Sequence, residues 1–580
     1  MGTNTWKFSE LKVPRPSLDM IEELYKDAIE RVENATNGDD VLEVVFETNL
    51  LVCRIREMFE IFSLRYAMDT TNERYEQDHA WAGENQMVFD KLETDFKSAV
   101  YDSPYKDELE EQIGHMYFVK TEIKRKTICA EIVPLRQHEE ELVAEYDNIL
   151  FESKKTVDGK ECSIIELQDL FSHEDRAIRK EAFKAFSEIL SENEEGLEKV
   201  WDELIKVRTE IANVLGYDSY VPVGYLERER LDYGREEVAK FREQVAKEIV
   251  PFCTKLYEAQ AKRLGLDEVM VYDEGIIFPE GNAKPVGNPE EMMAQVIKML
   301  REMSPETDEF ISYVLDHELI DYKPRPEKAL REFYTFLPYH KAPFMFEHFN
   351  GKAEDVQYLS ESLGHAFAAY RASRKQPLDE YYYPSSDIGE INAMTMIQFV
   401  NKYADRLFGD ETWKYEFGNL QYFMTFIPFG VAVDEFQHIC YDNPDLTPKE
   451  RTNEWHKLEE KYMPWRKYDD DDEFMRRGGY WYHKFHFFYA PLYYIEYVLA
   501  TVNAMEMYRK YIEHPGIAWK EYLELIDVGE SKGYLEILKQ ANLTPAYEEG
   551  AVRKSIGYVK AFLEEHIKEV FDDEEEEEEA

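Results

Sequence analysis

Apolar residues return every three or four positions along most of this chain, and that spacing constrains its fold more than any other feature. Between Ser17 and about Cys129, residues such as Ile21, Leu24, Ala28 and Val32 line single helical faces. Pro14 and Pro16 precede Ser17, which predicts a helix start capped by Ser17. A second helical block is expected from about Ser172, with Ser172 and Asp175 as its start signal, to Leu215 before Gly216. A third runs over Arg235–Leu264, divided or kinked at Pro251 and closed by Gly265. Two stretches break the rhythm. Val269–Pro285 reads as a small β-ribbon, and Glu332–Asn350 as two short strands around Pro338 and Pro343. Helices return from Ala353 to the end. No period of 20–50 residues repeats, so a solenoid is excluded.

The chain has 580 residues, too many for one ordinary domain. We divide it into an N-terminal helical lobe, 1–195, a second region, 196–571, and an acidic tail, 572–580, expected to be disordered and solvated. Asp469–Asp472 is read as a solvated loop, because a calcium loop needs spaced rather than consecutive aspartates. Lys and Arg number 69 against 120 Asp and Glu, a formal net charge of −51. Such a balance argues against nucleic acid and anionic membrane surfaces as partners. Five scattered cysteines, Cys53, Cys129, Cys162, Cys253 and Cys440, form no C-x-x-C pair and suit a reducing compartment. The N-terminus lacks the apolar core of a signal peptide, and Trp6 stands where a myristoylation motif wants Ser or Thr. No apolar run approaches a membrane span. These features lead to the expectation of a cytoplasmic protein.

Chemistry concentrates between Asp355 and Phe399. Glu361 and His365 lie four apart on one helix face, and Glu390 follows on what reads as another helix. Two carboxylates and an imidazole converging from two helices could hold a divalent metal. On residue types alone an ordinary helix with a solvated Glu and a core His is the commoner explanation. A carboxylate pair of the glycosidase kind, Glu361 with Glu390, has no further support in the sequence.

Longer motifs point further. Pro343-Phe344-Met345-Phe346 with Phe349-Asn350-Gly351 precedes Leu359-Ser360-Glu361-Ser362-Leu363-Gly364-His365-Ala366-Phe367. Then come Glu390-Ile391-Asn392-Ala393-Met394-Thr395-Met396-Ile397 and a Trp481, His486, Phe488, Pro491, Tyr493, Tyr494, Ile495, Glu496, Tyr497 pattern. In these motifs the chain resembles the zinc oligopeptidases of the oligoendopeptidase F and thimet oligopeptidase type. Phe8-Ser9-Glu10, Arg208-Thr209, Leu215-Gly216-Tyr217 and Arg230-x-Asp232-Tyr233 extend the similarity over nearly the whole length. The resemblance implies a mostly α, large two-lobed helical metallopeptidase-type fold with a small β element beside the site and a deep central channel. It implies oligopeptide ligands and zinc. His365 and Glu390 fall at metal-ligand positions. His486, Tyr493 and Tyr494 fall at positions that stabilise the transition state. Phe349, Asn350, Gly351 and Tyr497 fall at substrate-binding positions. At least one of the three tyrosines is expected to be core packing, and His483 a surface residue rather than a metal partner of His486.

Three departures fall on the chemistry. Glu361 stands where the family has its first zinc-binding His, Ser362 where it has the general-base Glu, and Ile397 where it has a supporting Glu. Glu361 is a weaker ligand candidate. A serine hydroxyl does not act as a base near neutral pH, and loss of a general base removes roughly 10²–10⁴-fold in rate. Loss of a supporting carboxylate typically weakens metal affinity by about 10–100-fold. The expectation is an oligopeptide-binding relative, catalytically impaired or inactive, with zinc weak or absent. One alternative is a working zinc oligopeptidase that uses Glu361, His365 and Glu390. The other is a structural or interaction protein.

Overall fold

The computed structural model describes the backbone of residues 6–578 and the side chains of residues 6–568. Helices dominate, from Leu18–Glu33 to Ala551–Glu578. The chain forms two compact units, each of three separate stretches. The first holds 1–126, 284–410 and 510–543; the second holds 127–283, 411–509 and 544–580. Compactness therefore divides the chain differently from the boundary drawn at 195/196, which falls inside the helix Glu194–Val214. Among the described residues no helix is long and apolar enough to cross a membrane. The terminal helix takes in most of the acidic run; the side chains of that run, and with them its expected solvation, lie outside the described residues.

In the first unit, Ser17 caps Leu18–Glu33 by accepting from the Met20 amide, and Asn37 and Asn72 cap Gly38–Met68 and Glu73–Tyr101. Ile21, Tyr25, Val44, Phe62, Phe89 and Phe96 share one core between these helices. A charged network ties that core to the link ahead of the site. Arg56 lies 2.6 Å from both Glu93 and Asp379, and Lys97 lies 2.8 Å from Glu93 and 3.0 Å from Glu380. The Tyr381 hydroxyl donates to the Ile113 carbonyl at 2.7 Å and accepts from the Tyr117 amide at 3.0 Å.

The small β element has three strands, with Ala342–Phe346 in the middle. It pairs antiparallel with Phe333–Leu337 and parallel with Ile320–Asp321. Two helices follow, the site helix Ala353–Lys375 and the ligand helix Ser386–Asn401. They meet at Gly364, where a Cβ would lie 2.6 Å from Ala393 Cα and 2.9 Å from the Asn392 carbonyl oxygen. Only glycine permits that approach. The ligand helix is buried at every residue from Asp387 to Asn401. Tyr522, on the helix Pro515–Ile526, donates to the Asn392 carbonyl at 3.1 Å. Arg371 of the site helix pairs with both oxygens of Asp527 at 2.7 Å.

Three local expectations change in the second unit, and one unforeseen element is added. Val269–Pro285 is no ribbon; its one regular element is the 3₁₀ turn Val271–Asp273. Side chains satisfy the groups a partner strand would have taken. Gln260 Nε2 donates to the carbonyls of Asp273, Glu274 and Ile276, and the fully buried Asp273 carboxylate binds Arg176 and Arg179. The helix Arg176–Glu192 is capped by Asp175, while Ser172 ends a preceding 3₁₀ turn. Asp158-Gly159 turns an unforeseen hairpin, Lys154–Val157 with Lys160–Ser163, both turn residues at positive φ. In the aspartate run, Asp470 and Asp471 are exposed, but Asp469 pairs with Lys180 at 3.0 Å and Asp472 caps Glu473–Arg476. The division at Pro251 holds, giving Arg235–Glu248 and Val250–Leu264 with Gly265 as a left-handed cap.

Gly364→Ala is expected to destabilise the protein by about 1–3 kcal/mol through overpacking. Gly389→Ala, whose nearest foreign atoms are 3.7 Å and 3.8 Å away, should leave stability unchanged or higher. Equal shifts of the two variants in urea unfolding would show that the helices are not pressed together at Gly364. A second test concerns Glu93. Burial pushes its carboxyl up, but Lys97 and Arg56 outweigh that and bring it from 4.5 to about 2. Its folded value lies below its unfolded one, so the carboxylate stabilises the fold above pH 4.5 and that contribution is lost as pH falls towards 2. Glu93→Gln should therefore cost about 3–5 kcal/mol at neutral pH. The gap to the parent protein should narrow on acidification; a gap independent of pH would exclude this assignment.

Candidate metal centre

Glu361 and His365 project from successive turns of the site helix, and Glu390 comes from the second turn of the ligand helix. One ligand atom from each lies within 4.8 Å of the others. The Gly364–Ala393 contact brings the two helix faces together at this point. Tyr334, on the strand Phe333–Leu337, stacks on the His365 ring with centroids 5.3 Å apart and planes 9° from parallel. The ring is thus fixed on one side by an aromatic neighbour. Burial lowers the His365 pKa to about 4, so the imidazole is neutral and keeps a nitrogen lone pair for a metal. Two carboxylates and an imidazole form a donor set that fits a divalent transition ion such as zinc.

Two further carboxyls border this cluster, and sequence reasoning missed both. Glu347 directly follows the strand Ala342–Phe346 and is 2% exposed. The Ser362 hydroxyl lies against its carboxyl, and Oε1 of that carboxyl has no hydrogen-bond partner. Glu332 accepts from the His348 amide at 2.7 Å. Burial first, then Glu332, pushes the Glu361 carboxyl up to about 7. Burial, with Glu332 and Glu361, pushes Glu347 well above the usual carboxylate range despite the Ser362 contact. The signal was faint: Glu347 stands inside the Pro343–Gly351 motif at a position that motif leaves open.

The other expected residues of this unit work mainly on the backbone. Phe349 is 1% exposed, and its amide donates to the Tyr322 carbonyl at 2.9 Å. Asp355 gathers the amides of Asn350 at 2.6 Å and Lys352 at 2.9 Å, and Gly351 turns the chain at φ 89° into the site helix. Asn350 is the exposed member of the three. Ile397 is buried at 1% and offers no polar group to the ligand helix.

His486, Tyr493, Tyr494 and Tyr497 gather in the second unit. Arg208, itself fully buried, donates to the carbonyls of Phe487 at 2.9 Å and of Phe488, to the Tyr441 hydroxyl at 2.9 Å and to Glu139 at 2.6 Å. Leu492 then turns the chain in the left-handed region, at φ 61°. Gln437 accepts from its amide at 2.7 Å, and Arg230 donates to its carbonyl at 2.9 Å and to Glu496 at 2.8 Å. Side chains of buried residues thus hold both ends of the strained peptide. His486 is 7% exposed, and its Nδ1 has no hydrogen-bond partner. Tyr494 lies 4.9 Å from it and Tyr497 5.9 Å, both edge-on. Burial, then Lys484 and Arg228, pulls His486 down to about 2, so it is neutral. Tyr494 is 4% exposed between Phe426 and Phe429, which is core packing; Tyr493 and Tyr497 are half-buried. His483 is not a surface residue: burial lowers it to about 3, and it packs edge-on to Tyr480 and Phe186.

The chain matches the Peptidase M3 N-terminal domain over residues 8–128 and Peptidase family M3 over 170–276 and 305–555. Among solved structures it is similar to PZ peptidase A with an inhibitor, at 36% identity, TM-score 0.90, and coverage of 96% of this chain and 99% of that one. It is also similar to a putative oligoendopeptidase F, at 34% identity, TM-score 0.89 and the same coverage. A third, a putative oligoendopeptidase F from Bacillus anthracis str. Ames, shares 33% identity, TM-score 0.86, and 97% and 99% coverage. None of the curated proteins compared matches the chain. With the family model spanning most of the sequence and these structures matching over nearly all of it, the chain belongs to peptidase family M3, as an oligoendopeptidase F-type member.

Proposed function

We propose that this M3 protein binds oligopeptides and holds a divalent metal ion at Glu361, His365 and Glu390, but hydrolyses peptides poorly. The convergence of those three ligand atoms within 4.8 Å carries the metal part of this reading. Ser362 carries the rest, since it occupies the position from which a relative's glutamate would deprotonate water. A zinc ion bound there would supply Lewis-acid polarisation of a peptide carbonyl. His365 would hold it through a neutral imidazole whose ring Tyr334 braces, and Glu361 and Glu390 would hold it through carboxylate oxygens. Within the second unit, Tyr493, Tyr497 and the neutral His486 offer polar groups to a peptide backbone. The protein is read as cytoplasmic from its composition.

Metal content after loading with zinc should be near one ion per chain, and His365→Ala should abolish it. Quenched fluorescent peptides should be cleaved slowly or not at all by the parent protein. Glu361→His combined with Ser362→Glu should raise chelator-sensitive cleavage by roughly 10²–10⁴-fold. If the parent protein already matches the repaired variant, the impairment is refuted. In that case loss of activity in Glu347→Gln, with zinc retained, would assign the base to Glu347. Absence of zinc from both proteins would refute the metal site itself.

A further inference from the structure

Lys484 and Arg228, both in the second unit, are cations without carboxylates. Among the described residues neither side chain has an ion pair or hydrogen bond, in a chain that carries 120 acidic residues. Each rests on aromatic rings instead. Lys484 Nζ lies 4.5 Å from the Tyr494 centroid, 5.5 Å from Phe485 and 5.6 Å from Phe429. The Arg228 guanidinium lies 5.1 Å from the Tyr493 centroid. The two rings they cover flank His486, at 4.9 Å for Tyr494 and 6.5 Å for Tyr493. Both cations act electrostatically on His486. That histidine is more than nine-tenths buried with an unpartnered Nδ1. The edge of the cluster is open, since Phe485 is 42% exposed and Tyr489 48%.

Ring faces stabilise a cation only modestly, by about 0.5–2 kcal/mol. An amine buried among rings therefore retains most of its demand for an anion. Burial also lowers the Lys484 pKa to about 7, because the charged amine has lost water without gaining a counter-ion. We infer that Arg228 and Lys484 form an anion-reading locus beside His486 that takes a carboxylate of the bound peptide. This inference rests on the oligopeptide-binding reading and names the class of peptide preferred. The carboxylate can come from the peptide C-terminus or from an Asp or Glu side chain, and both present the same two oxygens. Arg228 offers a planar fork to it and Lys484 a point charge. The surrounding tyrosines exclude water without adding negative charge.

The test is calorimetric binding to the full-length protein at low ionic strength, with three peptides of one neutral sequence. The first has a free C-terminus, the second a C-terminal amide, and the third a C-terminal amide with one internal Asp. At least one carboxylate-bearing peptide should bind about tenfold or more tighter than the plain amide, the scale of a charge-assisted hydrogen bond. Restoration by internal Asp identifies a side-chain carboxylate; failure to restore identifies the C-terminus. Lys484→Met and Arg228→Met should each remove that preference while leaving plain-amide binding within about twofold, and Arg228→Lys should keep part of it. Equal binding of all three peptides, or a preference unchanged by both Met variants, overturns the inference and leaves peptide binding intact. Failure of every peptide to bind overturns the oligopeptide reading as well.

Discussion

The contact between Gly364 and Ala393 governs the candidate metal centre. Three ligand atoms on two helices converge only if the helix axes approach closely, and a single Cβ at 364 would collide with the backbone of the partner helix. The rest of the first unit secures that approach. Tyr522 and Asp527 grip the ligand and site helices from one stretch of chain, and Arg56 and Lys97 hold the link that joins them. Each brace is polar and directional, so it fixes register and rotation as well as distance.

Much of this was legible in the sequence for identifiable reasons. Helix starts and stops marked by Ser17, Pro251 and Gly265 rest on local backbone chemistry and hold. The two strands around Pro338 were likewise written locally. The expected ribbon at Val269–Pro285 failed because its apolar run is buried by tertiary contacts, with Gln260 and Asp273 supplying hydrogen bonds that periodicity cannot reveal. The candidate metal triad reads from spacing plus resemblance; spacing alone favours an ordinary helix. Glu332 and Glu347 escaped because their proximity to Glu361 and Ser362 arises from strand-to-helix packing, not from sequence distance.

Charge is distributed unevenly in function as well as in number. A net charge of −51 suggests a uniformly acidic protein. Yet most buried cations here are matched with care: Arg208 with Glu139, Arg230 with Glu496, Arg451 with Glu198. Against that background the aromatic settings of Lys484 and Arg228 are exceptions. The candidate metal centre is the converse case, with several carboxyls close together and Lys328 donating to the Glu347 backbone carbonyl.

The interleaving of the two units also bears on synthesis. Glu361, His365 and Glu390 leave the ribosome well before Tyr522 and Asp527, the residues that brace their helices. At roughly 5–20 residues per second the nascent chain spends seconds with the ligands made and the braces absent. Domain-wise folding from the N-terminus is closed to this chain, because neither unit is complete until its last stretch, ending at 543 or 580, has been translated. The centre is therefore finished late, as one of the final events in the assembly of its unit.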